Sequence, residues 1–178
     1  AVGNAIEVTE SLEVLAGGGP SDLIELVIAL ANEMLDIAGI DGDPREAITS
    51  GRAMDHWRRM VSAQGGDPDA PLPVARHQHV ITAPVAGPLS TLEAYGVGVA
   101  AWRLGAGRAH KEDEIIHGAG VQLHAKPGDM LSEGQPIMTL LADDEARLPA
   151  AIAELEGSWE IGGEPMDRHP LIITRIAP

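Results

Sequence analysis

An α+β fold is predicted by three observations. Apolar residues recur at helical spacing from the start of the chain to about residue 66, a Pro-rich break follows near residue 70, and from Arg76 onward short strand-like runs are punctuated by Gly, Pro and Asp. The regions 1–70 and 71–178 therefore read as two domains, the first helical and the second mixed. Helices set among short antiparallel strands argue against a parallel sheet of strand–helix–strand units. No internal repeat of useful period is found.

In chain order, Asn4 and Glu7 have the spacing of a capping box, and Val8, Leu12 and Leu15 share one face before Gly17-Gly18-Gly19 ends the first helix. A second, longer helix is predicted from Pro20 to Ala38. Its polar residues Asp22, Glu25, Asn32, Glu33 and Asp36 form a narrow stripe, so that Leu23, Leu26, Val27, Leu30 and Met34 leave an apolar surface wide enough to need cover on two sides. A short helix over Pro44–Ser50 and another over Arg52–Gln64, with Met54, Trp57, Met60 and Val61 inward, complete the region. Gly65-Gly66-Asp67-Pro68 stops the last of them.

The second region predicts strands at His79–Ala83, Gly87–Leu92, Val121–Ala125, Pro136–Leu140 and Leu171–Ile176. Two helices, Gly96–Leu104 and Asp143–Glu156, interrupt them.

Composition narrows the function classes. A chain of 178 residues is long enough to build one core or two small ones. With no cysteine, disulfides, thiolate nucleophiles and Cys-ligated zinc are absent, which suits a reducing, cytoplasmic setting. No apolar run reaches the length of a membrane span, and a net charge of −15 without a Lys/Arg stripe disfavours nucleic acid and anionic lipid as partners. The chain opens directly on Gly3-Asn4-Ala5 with no initiator Met, from which we expect part of a longer protein.

Four features could carry chemistry. Gly17-Gly18-Gly19-Pro20 before a helix could cradle an anion, or could simply end one helix and start the next. His77 and His79 would share a strand face and could ligate zinc, although no third ligand stands at a recognisable spacing; His117 and His124 are similarly isolated. Arg108 with Asp113 or Glu112 reads as a structural ion pair in preference to a substrate clamp. Lys126-Pro127-Gly128-Asp129 through Gly134 and Ile137 has the cadence of biotinyl and lipoyl carrier domains, but neither Lys126 nor Lys111 falls at a hairpin tip where a carrier lysine belongs.

Several ordered motifs carry a resemblance. Gly3 to Glu10 matches a GNA-hydrophobic-E-V-x-E stretch and Gly19 to Leu23 a Gly-Pro-x-Asp-Leu helix start. Leu104 to Arg108 with Lys111 and Asp113 matches LGAGR-x-x-K-x-D, and Lys126, Gly128, Asp129 and Gly134 match K-x-GD-x-V-x-x-G. With these the chain resembles the C-terminal part of the thymidine and pyrimidine-nucleoside phosphorylases. It departs from them at Ile115-Ile116-His117, where the family often places an Asp.

The resemblance implies helices from an α/β domain followed by a C-terminal α/β-hammerhead, barrel-sandwich-like module. It implies a cytoplasmic, homodimeric pentosyltransferase of nucleotide salvage, in which phosphate as co-substrate attacks C1′ of a pyrimidine nucleoside to release the base and (deoxy)ribose 1-phosphate. The family's phosphate- and base-binding residues lie upstream of the GNA motif. No catalytic or substrate-binding residue is therefore carried over, and the chain alone is expected to be inactive. One family site does reach this stretch: a monovalent cation, potassium or sodium, whose ligands would include a backbone oxygen of Ala1 and the Glu10 carboxylate, oxygens that suit a hard cation. Without the resemblance, Glu7 and Glu10 read as partners of their helix dipole. A biotinyl- or lipoyl-like carrier and a purely structural module are the alternatives, and preference among thymidine, uridine and AMP is not readable.

Overall fold

Glycines close the helices of the first region, and hydrogen bonds show how. The computed structural model describes residues 1–163 and 170–176. Helix α1 spans Ala5–Leu15, and after it the N–H of Gly17 donates to Val14 O (3.0 Å) and that of Gly18 to Glu13 O (2.9 Å). This pair of bonds is the Schellman arrangement, which satisfies carbonyls the helix leaves open. Helix α2, Ser21–Ala38, ends in the same way, with Gly39 donating to Asp36 O and Ile40 to Leu35 O. Helix α3, Pro44–Thr49, starts on Asp43, whose Oδ1 accepts from the N–H groups of Arg45 (2.9 Å) and Glu46 (3.1 Å). Helix α4 covers Arg52–Ala63.

The chain divides into two compact units. One holds Val8–Pro71 with the described tail residues; the other holds Ala1–Glu7 and the described residues from Leu72 to Gly163. Residues 170–176, read from the sequence as part of domain 71–178, therefore group with the helical unit, and Ala1–Glu7, read as part of domain 1–70, group with the mixed one.

In the helical unit Val14 and Ile48 are buried, whereas no residue of α2 is. Leu30, Met34 and Ile37 of α2 are 52%, 68% and 86% exposed, so the broad apolar surface read from the sequence is present and lies bare. Met60 of α4, expected inward, is also exposed. The predicted strand Leu171–Ile176 does not form; the segment carries no ladder. Its hold is Arg175, which donates to Glu33 Oε2 (2.9 Å) and Asp36 Oδ2 (3.1 Å), two carboxylates three residues apart on one helix face. An apolar run needs a neighbouring strand edge to become a strand, and this one has none among the described residues.

The mixed unit contains two antiparallel sheets. Strands β1 (Val2–Gly3), β2 (His77–Thr82), β4 (Gly120–Leu123) and β6 (Pro136–Ala142) form a four-stranded sheet in the order β1-β4-β6-β2. Strands β3 (Gly87–Leu92), β5 (Met130–Leu131) and β7 (Trp159–Ile161) form a second sheet in the order β5-β3-β7. Central β6 pairs Leu140 with both Val121 and His79. Covered on both faces, it buries Ile137, Met138, Leu140 and Ala142, which is why its sequence is almost continuously apolar.

Helix α5 (Ala94–Ala101) widens into a π turn over Trp102–Ala106, and a short 3₁₀ turn, Glu145–Arg147, leads into α6 (Leu148–Glu154). The predicted helix from Asp143 begins later because Asp144 lies outside it, its carboxylate accepting from the Ala146 N–H at 3.0 Å. Leu89, Val97, Ala100, Leu104, Ala151 and Leu155 fill the core beside β6. The α+β class therefore holds, with β1, β5 and β7 as strands too short to be read in the sequence.

Candidate functional site

The strongest sequence motif, Leu104 to Asp113, folds into the loop that follows α5 and borders an open cleft of about 390 Å³. Leu104 and Gly105 are buried and anchor the loop, and Gly105 O accepts from the Ile116 N–H at 2.9 Å. Asn4 reaches the same loop, donating its side-chain amide to Ala106 O at 2.7 Å. Beside it, the Glu7 carboxylate accepts from the Gly3 N–H at 2.7 Å, one residue before the position a standard capping box would use.

Asp113 organises the loop tip. Its Oδ2 accepts from the N–H groups of His110 (2.8 Å) and Ala109 (3.0 Å). The His110 N–H holds the Asp113 carboxyl below its ordinary value of 3.8 against a smaller upward push from desolvation, and the Ala109 N–H and the His110 ring, 3.5 Å away, add to the lowering. Arg108 meets neither Asp113 nor Glu112: its Nη1 donates to the Lys111 carbonyl at 3.3 Å. The expected ion pair is thus replaced by a turn in which a backbone oxygen takes the guanidinium and the carboxylate takes backbone N–H groups.

The cleft is lined by Trp102, Arg103, Arg147, Asp113, Glu114 and Ile116, with Gly105, Gly107 and Ala109. Its cationic groups are already engaged. Arg103 donates to Glu154 Oε1 from Nε (2.9 Å) and lies within 2.8 Å of it through Nη2, while its guanidinium carbon stands 4.6 Å from the centre of the Trp102 ring. Arg147 Nη1 donates to Arg103 O at 3.3 Å. None of these four side chains was singled out from the sequence, because partners 44 and 51 residues apart leave no local spacing to recognise. Chemically the arrangement is a surface turn held by main-chain partners, in which Arg103 pairs with Glu154 while Arg108, Arg147 and Asp113 engage backbone groups.

The other sequence candidates separate. Lys126 opens a turn closed by the Asp129 N–H on Lys126 O (3.0 Å) and by Asp129 Oδ2 on the Lys126 N–H (2.8 Å). Pro127 and Gly128 occupy its centre, and Gly128 has φ +93°, a conformation that glycine alone adopts without strain. Lys126 is half-buried at the start of this turn, a place unlike the displayed hairpin tip that a carrier requires.

Gly17 and Gly18 use their N–H groups to close α1, so the anion-cradle alternative has no free donors at those two positions. His77 Nδ1 lies 4.0 Å from Glu145, and His124 Nε2 is 2.7 Å from the buried Thr139 hydroxyl. The His117 carbonyl accepts from the Ala5 N–H. Ala1 precedes β1 and Glu10 lies half-buried on α1. Among the described residues no group of three or more His, Asp or Glu is placed to hold a metal ion, and no helix is long and apolar enough to cross a membrane.

Comparison with known proteins points one way. Residues 89–162 match the profile of the family described as pyrimidine nucleoside phosphorylase C-terminal domain. Thymidine phosphorylase of Mycobacterium tuberculosis is 50% identical over 176 residues, covering 98% of this chain and 41% of that protein. Pyrimidine-nucleoside phosphorylase of Bacillus subtilis is 39% identical over 176 residues (92% and 40%), and that of Staphylococcus haemolyticus 38% over 188 residues (99% and 43%). The chain spans about two-fifths of the length of these curated relatives.

Proposed function

We propose that this chain, whose residues 89–162 match the pyrimidine nucleoside phosphorylase C-terminal domain family, serves as the C-terminal part of a pentosyltransferase. That enzyme uses phosphate to split a pyrimidine nucleoside, thymidine foremost, into free base and 2-deoxyribose 1-phosphate. The observation that carries this reading is the 50% identity to a thymidine phosphorylase across 98% of the chain. Under it, residues 1–70 are the closing helices of a central α/β domain and 71–178 a module of the α/β-hammerhead type, acting in a cytoplasmic homodimer of the full-length enzyme.

Phosphorolysis requires donors for the phosphate and for the departing base anion. In the cleft beside the 104–113 motif Arg103 is matched by Glu154 and Arg147 holds a main-chain carbonyl, so the chemistry is assigned to the portion of the parent outside this chain. The role proposed here is support: a rigid module that shapes one side of the parent's cleft. A potassium or sodium ion in the intact enzyme belongs to the same proposal, with Glu10 as its charged ligand from this chain and Ala1 giving a backbone oxygen, donors that fit a hard cation.

The test is phosphate-dependent cleavage of thymidine and uridine by the full-length parent and, separately, by this chain. The parent should release base only when phosphate is present, and the chain should release none. Base release by the chain alone overturns the assignment of chemistry elsewhere, and a parent inactive on both nucleosides overturns the reading itself.

A further inference from the structure

We propose that Asp41–Gly42 is a modification site, at which the folded chain converts spontaneously to an isoaspartyl linkage. In this rearrangement the Gly42 amide nitrogen attacks Cγ of Asp41; a C–N bond forms, a Cγ–O bond breaks and water leaves with the amide proton, giving a succinimide. Water then reopens the ring. Opening at the main-chain carbonyl leaves the chain running through Cγ, with the former α-carboxylate pendant and no net change in atoms or oxidation state.

Three conditions favour the reaction, and they coincide here alone among the described residues. The attacking nitrogen must be unshielded, and Asp41–Gly42 is the one Asp-Gly pair in the sequence. The backbone must be free to turn the nitrogen onto the side chain, which a helix forbids. Asp41 and Gly42 are the two residues left between the cap of α2, where Ile40 donates to Leu35 O, and the cap of α3 at Asp43; both are exposed and neither is helical. Finally, the reacting groups must be available, and among the described residues no hydrogen bond engages the Gly42 N–H or the Asp41 carboxylate.

Other aspartates fail at least one condition. Asp22, Asp36 and Asp55 lie inside helices, and Asp43 and Asp67 precede proline, which offers no amide proton. The Asp113 and Asp129 carboxylates accept main-chain N–H bonds. The product would matter locally, because it inserts a methylene into a connector two residues long and shifts Asp43 away from the Arg45 and Glu46 N–H groups it caps.

The experiment incubates the folded chain at neutral pH and maps its peptides by mass spectrometry with fragmentation that distinguishes the two linkages. Methyl transfer from S-adenosylmethionine by an isoaspartyl-specific methyltransferase is the second readout. Expected are an isomer of unchanged mass at Asp41, a transient species lighter by one water, and faster amide exchange at Arg45 and Glu46 in the product. Asp41→Glu should lose both signals, since its ring would be one atom larger. Gly42→Ala should slow them several-fold; its new methyl would meet only the Leu35 side-chain end at 3.3 Å, so folding is retained. The proposal is overturned if a denatured chain isomerises at Asp41 while the folded chain does not, or if another aspartate converts first.

Discussion

Gly96 of α5 and Ser158, just before β7, pack so closely that a β-carbon on the glycine would fall onto the serine hydroxyl. Gly96 is buried, and Ser158 is fixed from three sides: its N–H donates to Leu155 O, its hydroxyl to Glu154 O, and its carbonyl accepts from the Glu93 N–H at 2.7 Å. The serine cannot step aside without breaking the links that set β7 beside the start of α5. Gly96→Ala should therefore destabilise the chain by about 1–3 kcal/mol despite alanine's better helix propensity. Denaturant melts of Gly96→Ala, Ser158→Gly and the double variant check this, with the double variant expected to be less destabilised than the sum of the singles.

Asn4 makes one side-chain hydrogen bond that a single substitution can remove. Its position before α1 suits a cap, and its side-chain amide donates to Ala106 O at the base of the motif loop. Aspartate caps as well as asparagine but has no amide to donate. If the link to Ala106 matters, Asn4→Asp should lose about 1 kcal/mol, the usual worth of such a bond. Urea melts at neutral pH measure it, and an Asn4→Asp protein as stable as the parent chain would mean that the bond to Ala106 adds nothing to stability.

The helices around these positions were open to sequence reading because local rules set them. Gly17, Gly39 and Gly65 each stand where a helix must close, and periodic apolar residues precede each one. Strands β1, β5 and β7, with two or three residues each, carry no periodicity, and their existence rests on partners far along the chain, such as Val2 opposite Val121. Leu171–Ile176 shows the converse, an apolar run with no edge to join among the described residues. At the candidate site the run Glu112-Asp113-Glu114 announced a carboxylate without saying which one would face the loop. Only the backbone path through Ala109 and His110 selects Asp113.

Leu140 should be among the most costly side chains to truncate in the mixed unit. It is fully buried on the central strand, opposite Val121 on one side and His79 on the other, so neither neighbouring strand can collapse into the space without losing its register. Leu140→Ala is expected to destabilise by about 2–5 kcal/mol. Val80→Ala, on the outer strand β2 and 44% exposed, should change stability by no more than about 0.5 kcal/mol. Thermal or urea unfolding of the two variants side by side tests the contrast.

Asp113 gives the motif loop a dependence on pH whose sign follows from its bonds. The N–H groups of His110 and Ala109 favour the charged carboxylate, so its folded value lies below the ordinary 3.8. A group lowered on folding stabilises fully above its unfolded value and loses that contribution as pH falls through the folded one. The loop should therefore hold its geometry from neutral pH down to about 4 and loosen only in more acidic solution. Amide exchange at Ala109 and His110 reads the change directly: protection, corrected for the intrinsic rate, should fall below that point in the parent chain. In Asp113→Asn the side-chain oxygen still accepts but does not titrate, so its protection should be weaker at neutral pH and flat through the acidic range. A parent chain equally flat there would mean that the carboxylate charge does not hold the turn.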